Sequence, residues 1–154
     1  MIAKFVKSLG YALNGIILGI KEERNVRIDI VAAFYVLIFS KFYDFTLTQK
    51  ALLVFICLTV LGFELMNTAV ERAVDKPDKE HYMQAGEAKD AAAGGVLLVA
   101  VGAAVVGVML FWNVEVFIKI FRFFTNQPLM AAAFAVTLFA SYRFITYDNN
   151  KNDK

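Results

Sequence analysis

Apolar residues run along this chain in four long blocks, at residues 28–43, 51–70, 91–112 and 129–145, separated by short polar stretches. A helix rises 1.5 Å per residue, so about 20 residues cross a hydrocarbon core and about 17 is the practical minimum. The second and third blocks meet that length. The first and fourth reach it only if Lys41 and Arg143 at their ends snorkel to the interface. Residues 1–27 follow another pattern: Ile2, Phe5, Val6, Leu9, Leu13, Ile16, Ile17 and Ile20 recur at helical spacing, while Lys4, Lys7, Tyr11, Asn14 and Lys21 mark a polar face. That pattern predicts an amphipathic helix lying in a membrane interface, with Gly10, Gly15 and Gly19 permitting close contacts. Its charges are spread along its whole length, which argues against a further span.

The connections support helices of alternating direction. Residues 43–50 are short and polar, as an antiparallel helical hairpin requires. Pro77 predicts a helix stop near Asp75. The third block opens with Ala-Ala-Ala-Gly-Gly at 91–95 and carries Gly102 and Gly107 further on, a small-residue face suited to close packing against a partner helix. Residues 114–127 mix Phe117, Phe121, Phe123 and Phe124 with Lys119 and Arg122, an interfacial aromatic and basic connection. The expected fold is therefore all-α and membrane-integral, with an N-terminal surface helix, three core transmembrane helices and a fourth, C-terminal one. Residues 1–112 form the core, 113–147 the added interfacial segment and fourth span, and 148–154 a disordered tail.

Composition agrees. Of 154 residues, 59% are hydrophobic and 19% charged, too apolar a balance for a soluble domain. A net charge of +2 gives no case for nucleic acid. Basic residues gather ahead of the first span (Lys4, Lys7, Lys21, Arg24, Arg27), between the second and third (Arg72, Lys76, Lys79, Lys89) and after the fourth (Arg143, Lys151, Lys154). The positive-inside rule then places both termini and the 72–90 connection in the cytoplasm. The single Cys57 can form no intrachain disulfide and reads as a small packing residue. The first 20 residues hold no cleavable signal pattern.

The chemistry concentrates at residues 64–75. On a helix, Glu64, Asn67, Glu71 and Asp75 fall at i, i+3, i+7 and i+11 and form one polar stripe. Carboxylates within a span cost about 2.5 kcal/mol or more each, so Glu64 and Glu71 are functional candidates. They lie about 10 Å apart along the axis. Glu71 falls near the interface, where Glu22 and Glu23 at the end of the surface helix can meet it. Carboxylates converging from two helices make a hard-oxygen site suited to Mg²⁺ and nucleotide phosphates. Glu64, two turns deeper and supported by Asn67, is placed to take a lipid hydroxyl's proton. Asp29 reads instead as a solvated interfacial carboxylate. His81 has no second His or Cys nearby and is not read as a transition-metal ligand.

Three blocks resemble one family. Residues 64–75, Glu-Leu-Met-Asn-Thr-Ala-Val-Glu-Arg-Ala-Val-Asp, are similar to the E-x-x-N-[ST]-A-[IV]-E-x-x-V-D signature of prokaryotic diacylglycerol kinases. Residues 23–28, Glu-Arg-Asn-Val-Arg-Ile, resemble its E-x-N-x-R-I element, and 88–94, Ala-Lys-Asp-Ala-Ala-Ala-Gly, its A-K-D-x-A-A-G element. The resemblance spans residues 4–112. It implies a small integral membrane kinase without a P-loop or Gly-rich kinase loop, and the chain has neither motif.

The same resemblance implies roles. Glu23 and Glu71 would hold the Mg²⁺ of MgATP, Glu64 would be the general base and Asn67 its support. Tyr11, Glu23, Glu71, Asp75, Glu80, His81, Tyr82, Lys89 and Asp90 would contact the nucleotide, and Lys4, Asn14, Glu64 and Ala93 the lipid. Homotrimers with shared sites are implied, as is a multi-pass position in the bacterial cytoplasmic membrane with the site facing the cytoplasm. Two departures stand out: Glu80-His81-Tyr82 replaces the Glu-Tyr-His order common in relatives, and the 129–145 block adds a span to the usual three. The wording of the three blocks, and Ala93 in place of the enterobacterial serine, lie closer to the undecaprenol-specific branch than to the diacylglycerol-specific one. An ion- or proton-transport subunit, the alternative from another class, needs polar partners in the outer halves of the spans. Those halves hold none.

Overall fold

The structure is a computed structural model that describes residues 2–75 and 82–147. Six α-helices follow one another: α1 (Ile2–Glu22), α2 (Arg24–Phe39, continued by a 3-10 turn at Ser40–Phe42), α3 (Leu47–Val74), α4 (Tyr82–Phe111), α5 (Val114–Asn126) and α6 (Pro128–Ile145). No strand occurs among the described residues. The all-α membrane architecture expected from the apolar blocks is present: α3, α4 from Gln84 onward, and α6 are each long and apolar enough to cross a membrane. The 16 residues of α2 reach about 24 Å, and the 3-10 turn that continues it adds about 6 Å, so the two together match a hydrocarbon core of about 30 Å. Most large apolar side chains on these helices are exposed, among them Phe55, Leu98 and Met109, as lipid-facing positions are.

The helix ends are explained by side chains. Glu23 interrupts the helical run with an extended backbone (φ −100°, ψ 119°) and separates α1 from α2. The last carbonyls of α1 have no intrahelical donor. Arg27 supplies one: its Nη1 donates to the Ile20 carbonyl at 3.2 Å and to the Lys21 carbonyl at 2.9 Å. The bend at the surface is therefore held by a buried guanidinium one turn into α2. Thr46 starts α3 with a reciprocal cap, its Oγ1 accepting from Gln49 N at 3.3 Å while Gln49 Oε1 accepts from Thr46 N at 2.9 Å. Helix α3 ends at Val74 with Asp75 as its cap, where Pro77 led the stop to be expected. Helix α4 begins at Tyr82, well before the apolar block at 91, so the Lys89–Asp90 pair stands on a helix.

Helices α3 and α4 form the main pair, and α2 packs on α3. Glycine allows the close approaches: Gly95 on α4 faces the Phe63 ring, and Gly19 of α1 lies directly against Leu65. At the far end of the bundle, Tyr43 stacks on Phe45 (5.0 Å between centroids) and meets the Phe111 edge (4.9 Å). The Tyr43 hydroxyl donates to the Phe111 carbonyl at 2.7 Å. This knot over buried Leu53 ties the α2–α3 turn to the end of α4.

The 113–147 segment is a helical hairpin laid on α2. Asn113 caps α5 by accepting from Glu115 N and Val116 N, and Pro128 occupies the first turn of α6, where its missing N–H costs nothing. Phe134 of α6 packs edge-on against Tyr35 and Phe39. The Tyr35 hydroxyl donates to Thr137 Oγ1 at 3.3 Å and lies 3.0 Å from Ser141 Oγ.

Candidate functional site

The C-terminal turns of α3 carry the acidic stripe. Glu64 is 5% exposed although it is a carboxylate, and Thr68 beneath it is buried as well. The Thr68 hydroxyl bonds back to the Glu64 carbonyl at 3.1 Å. One turn on, Asn67 Nδ2 donates to Glu71 Oε1 at 3.0 Å. Asn67, expected to support Glu64, instead donates to Glu71, both carboxylates being within reach of it on one helix face. Its Oδ1 is buried and has no hydrogen-bond partner among the described residues. A buried amide oxygen without a donor is costly, so this atom is available to a hydroxyl or a cation.

A second layer forms where α1 meets α3. Arg72 Nη2 lies 2.9 Å from Glu22 Oε2 and 2.9 Å from Glu23 Oε1. Glu23 comes from the break between α1 and α2, so this guanidinium brings it to the turn of α3 that also bears Glu71. At the start of α4, Lys89 Nζ reaches Asp75 Oδ1 at 2.8 Å and lies within electrostatic range of Glu71. Glu23, Glu64, Asn67, Glu71, Asp75 and Lys89 therefore share one end of the bundle, graded from buried Glu64 to exposed Asp75. Asp90 and Ala93 follow Lys89 along α4 as exposed residues.

Other candidates stand apart from this cluster. Helix α1 meets the bundle at its C-terminal end, through Gly19 against Leu65 and Glu22 against Arg72. Lys4, Tyr11 and Asn14 are exposed nearer its N-terminus, with Lys7 Nζ 5.8 Å above the Tyr11 ring. Glu80, His81 and the side chain of Tyr82 lie outside the described residues, as do residues 148–154. No group of three His, Cys, Asp or Glu side chains converges among the described residues.

Two residues gain importance from the structure. Asp29, expected to be solvated, is half-buried on α2 and lies within electrostatic range of Glu64. It lines an apolar groove of about 240 Å³ between α2, α3 and α4, together with small residues such as Ala33, Ala103 and Gly107. Spacing within the 64–75 stripe could not reveal this, since Asp29 comes from another helix. Arg27 is the second. Counted in the sequence among the basic residues ahead of the first span, it instead caps the end of α1 beside Glu23.

The site is thus a membrane-embedded acid cluster, with a buried carboxylate under a layer of paired charges. The family model described as prokaryotic diacylglycerol kinase matches residues 10–111. The chain is 33% identical over 108 residues to the undecaprenol kinase of Bacillus subtilis, covering 70% of this chain and 88% of that protein. It is 26% identical over 110 residues to the diacylglycerol kinase of Escherichia coli K12, covering 71% and 90%. With the diacylglycerol kinase of Synechocystis it shares 34% over 101 residues, 65% of this chain and 58% of that one. No solved structure matches. The chain belongs to the prokaryotic diacylglycerol kinase family and is a membrane-embedded kinase of it. Helices α5 and α6 lie beyond the matched segment.

Proposed function

We propose that this kinase transfers the γ-phosphate of ATP to the hydroxyl of undecaprenol, giving undecaprenyl phosphate. The observation that carries this reading is the burial of Glu64 at 5% exposure on α3, two turns before Arg72 pairs with Glu23. A carboxylate at that depth meets a lipid alcohol, and the layer above it meets a nucleotide.

Glu64 accepts the hydroxyl proton as the lipid oxygen attacks the γ-phosphorus. Asn67 orients Glu71 through its amide N–H. Lys89 and Asp75 hold the nucleotide end, with Asp90 beside them. The donor set fits Mg²⁺, which prefers one or two carboxylates plus phosphate oxygens: Glu23 and Glu71 are all-oxygen ligands at the interface. Bound there, the ion would neutralise charge on the phosphates. Lys4, Tyr11 and Asn14 on the extended part of α1 suit contacts with a neighbouring copy's site, which supports a homotrimer with shared sites. The topology is N-in and C-in, with the site on the cytoplasmic face of a bacterial cytoplasmic membrane, as the basic residues favour.

The undecaprenol reading is supported by the B. subtilis relative and by the wording of the three motif blocks. Diacylglycerol is the second reading, favoured by the names of the E. coli and Synechocystis relatives. The test is transfer from labelled ATP with Mg²⁺ to each lipid in detergent micelles. Faster turnover of undecaprenol supports the proposal, and faster turnover of diacylglycerol replaces it with the second reading. No transfer to either by folded protein removes the lipid-kinase assignment.

A further inference from the structure

The end of the bundle remote from Glu64 holds a different feature, outside the phosphoryl-transfer site. The end of α2, its 3-10 turn and the start of α3 enclose a cavity of about 710 Å³ lined by Leu37, Ser40, Lys41, Lys50 and Val54, over a floor of buried Tyr43 and Leu53. Its two walls are built alike. Leu37 and Lys41 are four residues apart on one wall, Val54 and Lys50 four apart on the other, so each wall sets a basic side chain one turn beyond an apolar one. Lys41 and Lys50 make no ion pair among the described residues, and Leu37 and Val54 are exposed at 39% and 45%. Ser40 Oγ is already committed as a donor to the Leu37 carbonyl, so the two ammonium groups are the donors to an anion here. Asp44 at the rim offers an acceptor.

We propose that this groove binds one anionic glycerophospholipid, with its phosphate between Lys41 and Lys50, a head-group hydroxyl on Asp44 and an acyl chain along Leu37 and Val54. Charge complementarity selects this occupant. A second copy of the chain would have to bury two unpaired lysines against an apolar helix face, whereas a phospholipid presents phosphate and hydrocarbon in the order the walls do. The site is independent of the acceptor lipid and of the kinase reaction.

The test uses the full-length protein in neutral detergent, with phosphatidylglycerol or phosphatidylcholine added. Lipid retention is read by native mass spectrometry and thermal midpoint by tryptophan fluorescence. Phosphatidylglycerol should be retained and should raise the midpoint, phosphatidylcholine much less. The double variant K41Q/K50Q should weaken phosphatidylglycerol retention about tenfold or more, on the scale of two lysines at a membrane surface. Val54→Trp, which fills the apolar half while keeping both lysines, should also lower retention. Changing Lys119 and Arg122 to Gln, at the same end but off the groove, should leave it unchanged. Equal retention of the two lipids, or wild-type retention by K41Q/K50Q, overturns the proposal. So does an equal midpoint shift from inorganic phosphate alone, or an oligomer that falls apart in K41Q/K50Q with lipid retention intact.

Discussion

Arg72 Nη2 lies 2.9 Å from Glu23 Oε1, a contact that joins positions 49 residues apart and carries the end of the surface helix to the acidic stripe of α3. The same nitrogen is 2.9 Å from Glu22. This side chain ties the end of α1 and the α1–α2 break to α3. Replacing Arg72 with Gln should raise KM for MgATP about tenfold, equivalent to about 1.4 kcal/mol. Because the pair is a third exposed or more, its loss should cost stability only about 0–1 kcal/mol. Steady-state kinetics beside a thermal melt separates the two effects, and an unchanged KM would show that Glu23 needs no such anchor.

Glu64→Gln keeps the shape and removes the proton acceptor. Turnover should fall about 10²- to 10⁴-fold, the usual worth of a general base. Nucleotide affinity, set by the layer above, should be retained, whereas Glu71→Gln should lose it. Binding titrations and single-turnover transfer on both variants check this, and full activity in Glu64→Gln would reject the base assignment.

Gly19 is needed for contact rather than for backbone freedom, since a Cβ there would collide with the Leu65 side chain. Gly19→Val should destabilise the α1–α3 contact by about 1–3 kcal/mol. The second change Leu65→Ala should recover part of that loss, a non-additivity expected only of touching residues. Strictly additive melting shifts would place α1 elsewhere.

The α5–α6 hairpin bears on α2 through the Tyr35 hydroxyl and lies outside the segment shared with the family. Tyr35→Phe should cost about 0.6 kcal/mol, the average for such hydrogen bonds between membrane helices. Removing residues 113–154 should lower the thermal midpoint further while leaving phosphoryl transfer in place. Loss of transfer in a folded truncated protein would give the hairpin a part in the site.

Much of this was legible before any coordinates. Helical periodicity exposed α1 as a helix, and block length exposed α3 and α4 as long apolar helices. The costs of carboxylates in hydrocarbon singled out Glu64 and Glu71, and Pro77 marked the end of α3. The Asn67–Glu71 bond and the depth of Asp29 were not legible. Asn67 could face either carboxylate at its i−3 or i+4 position, and Asp29 sits at a helix end where solvation and burial look alike in one dimension.

By itself the sequence determined what is local or periodic: which segments are helical and apolar, which face of α3 is acidic, and the family to which residues 10–111 belong. These depend on repeats of 3.6 residues and on transfer energies that each position carries with it. Only the tertiary structure decided what crosses between helices: that Arg27 caps α1, that Arg72 holds Glu23, that Lys89 meets Asp75, and that Lys41 and Lys50 face each other across one groove. Those contacts depend on how the helices turn and cross, which small residues such as Gly19 and Gly95 set by letting backbones approach, and no spacing along a single helix encodes them.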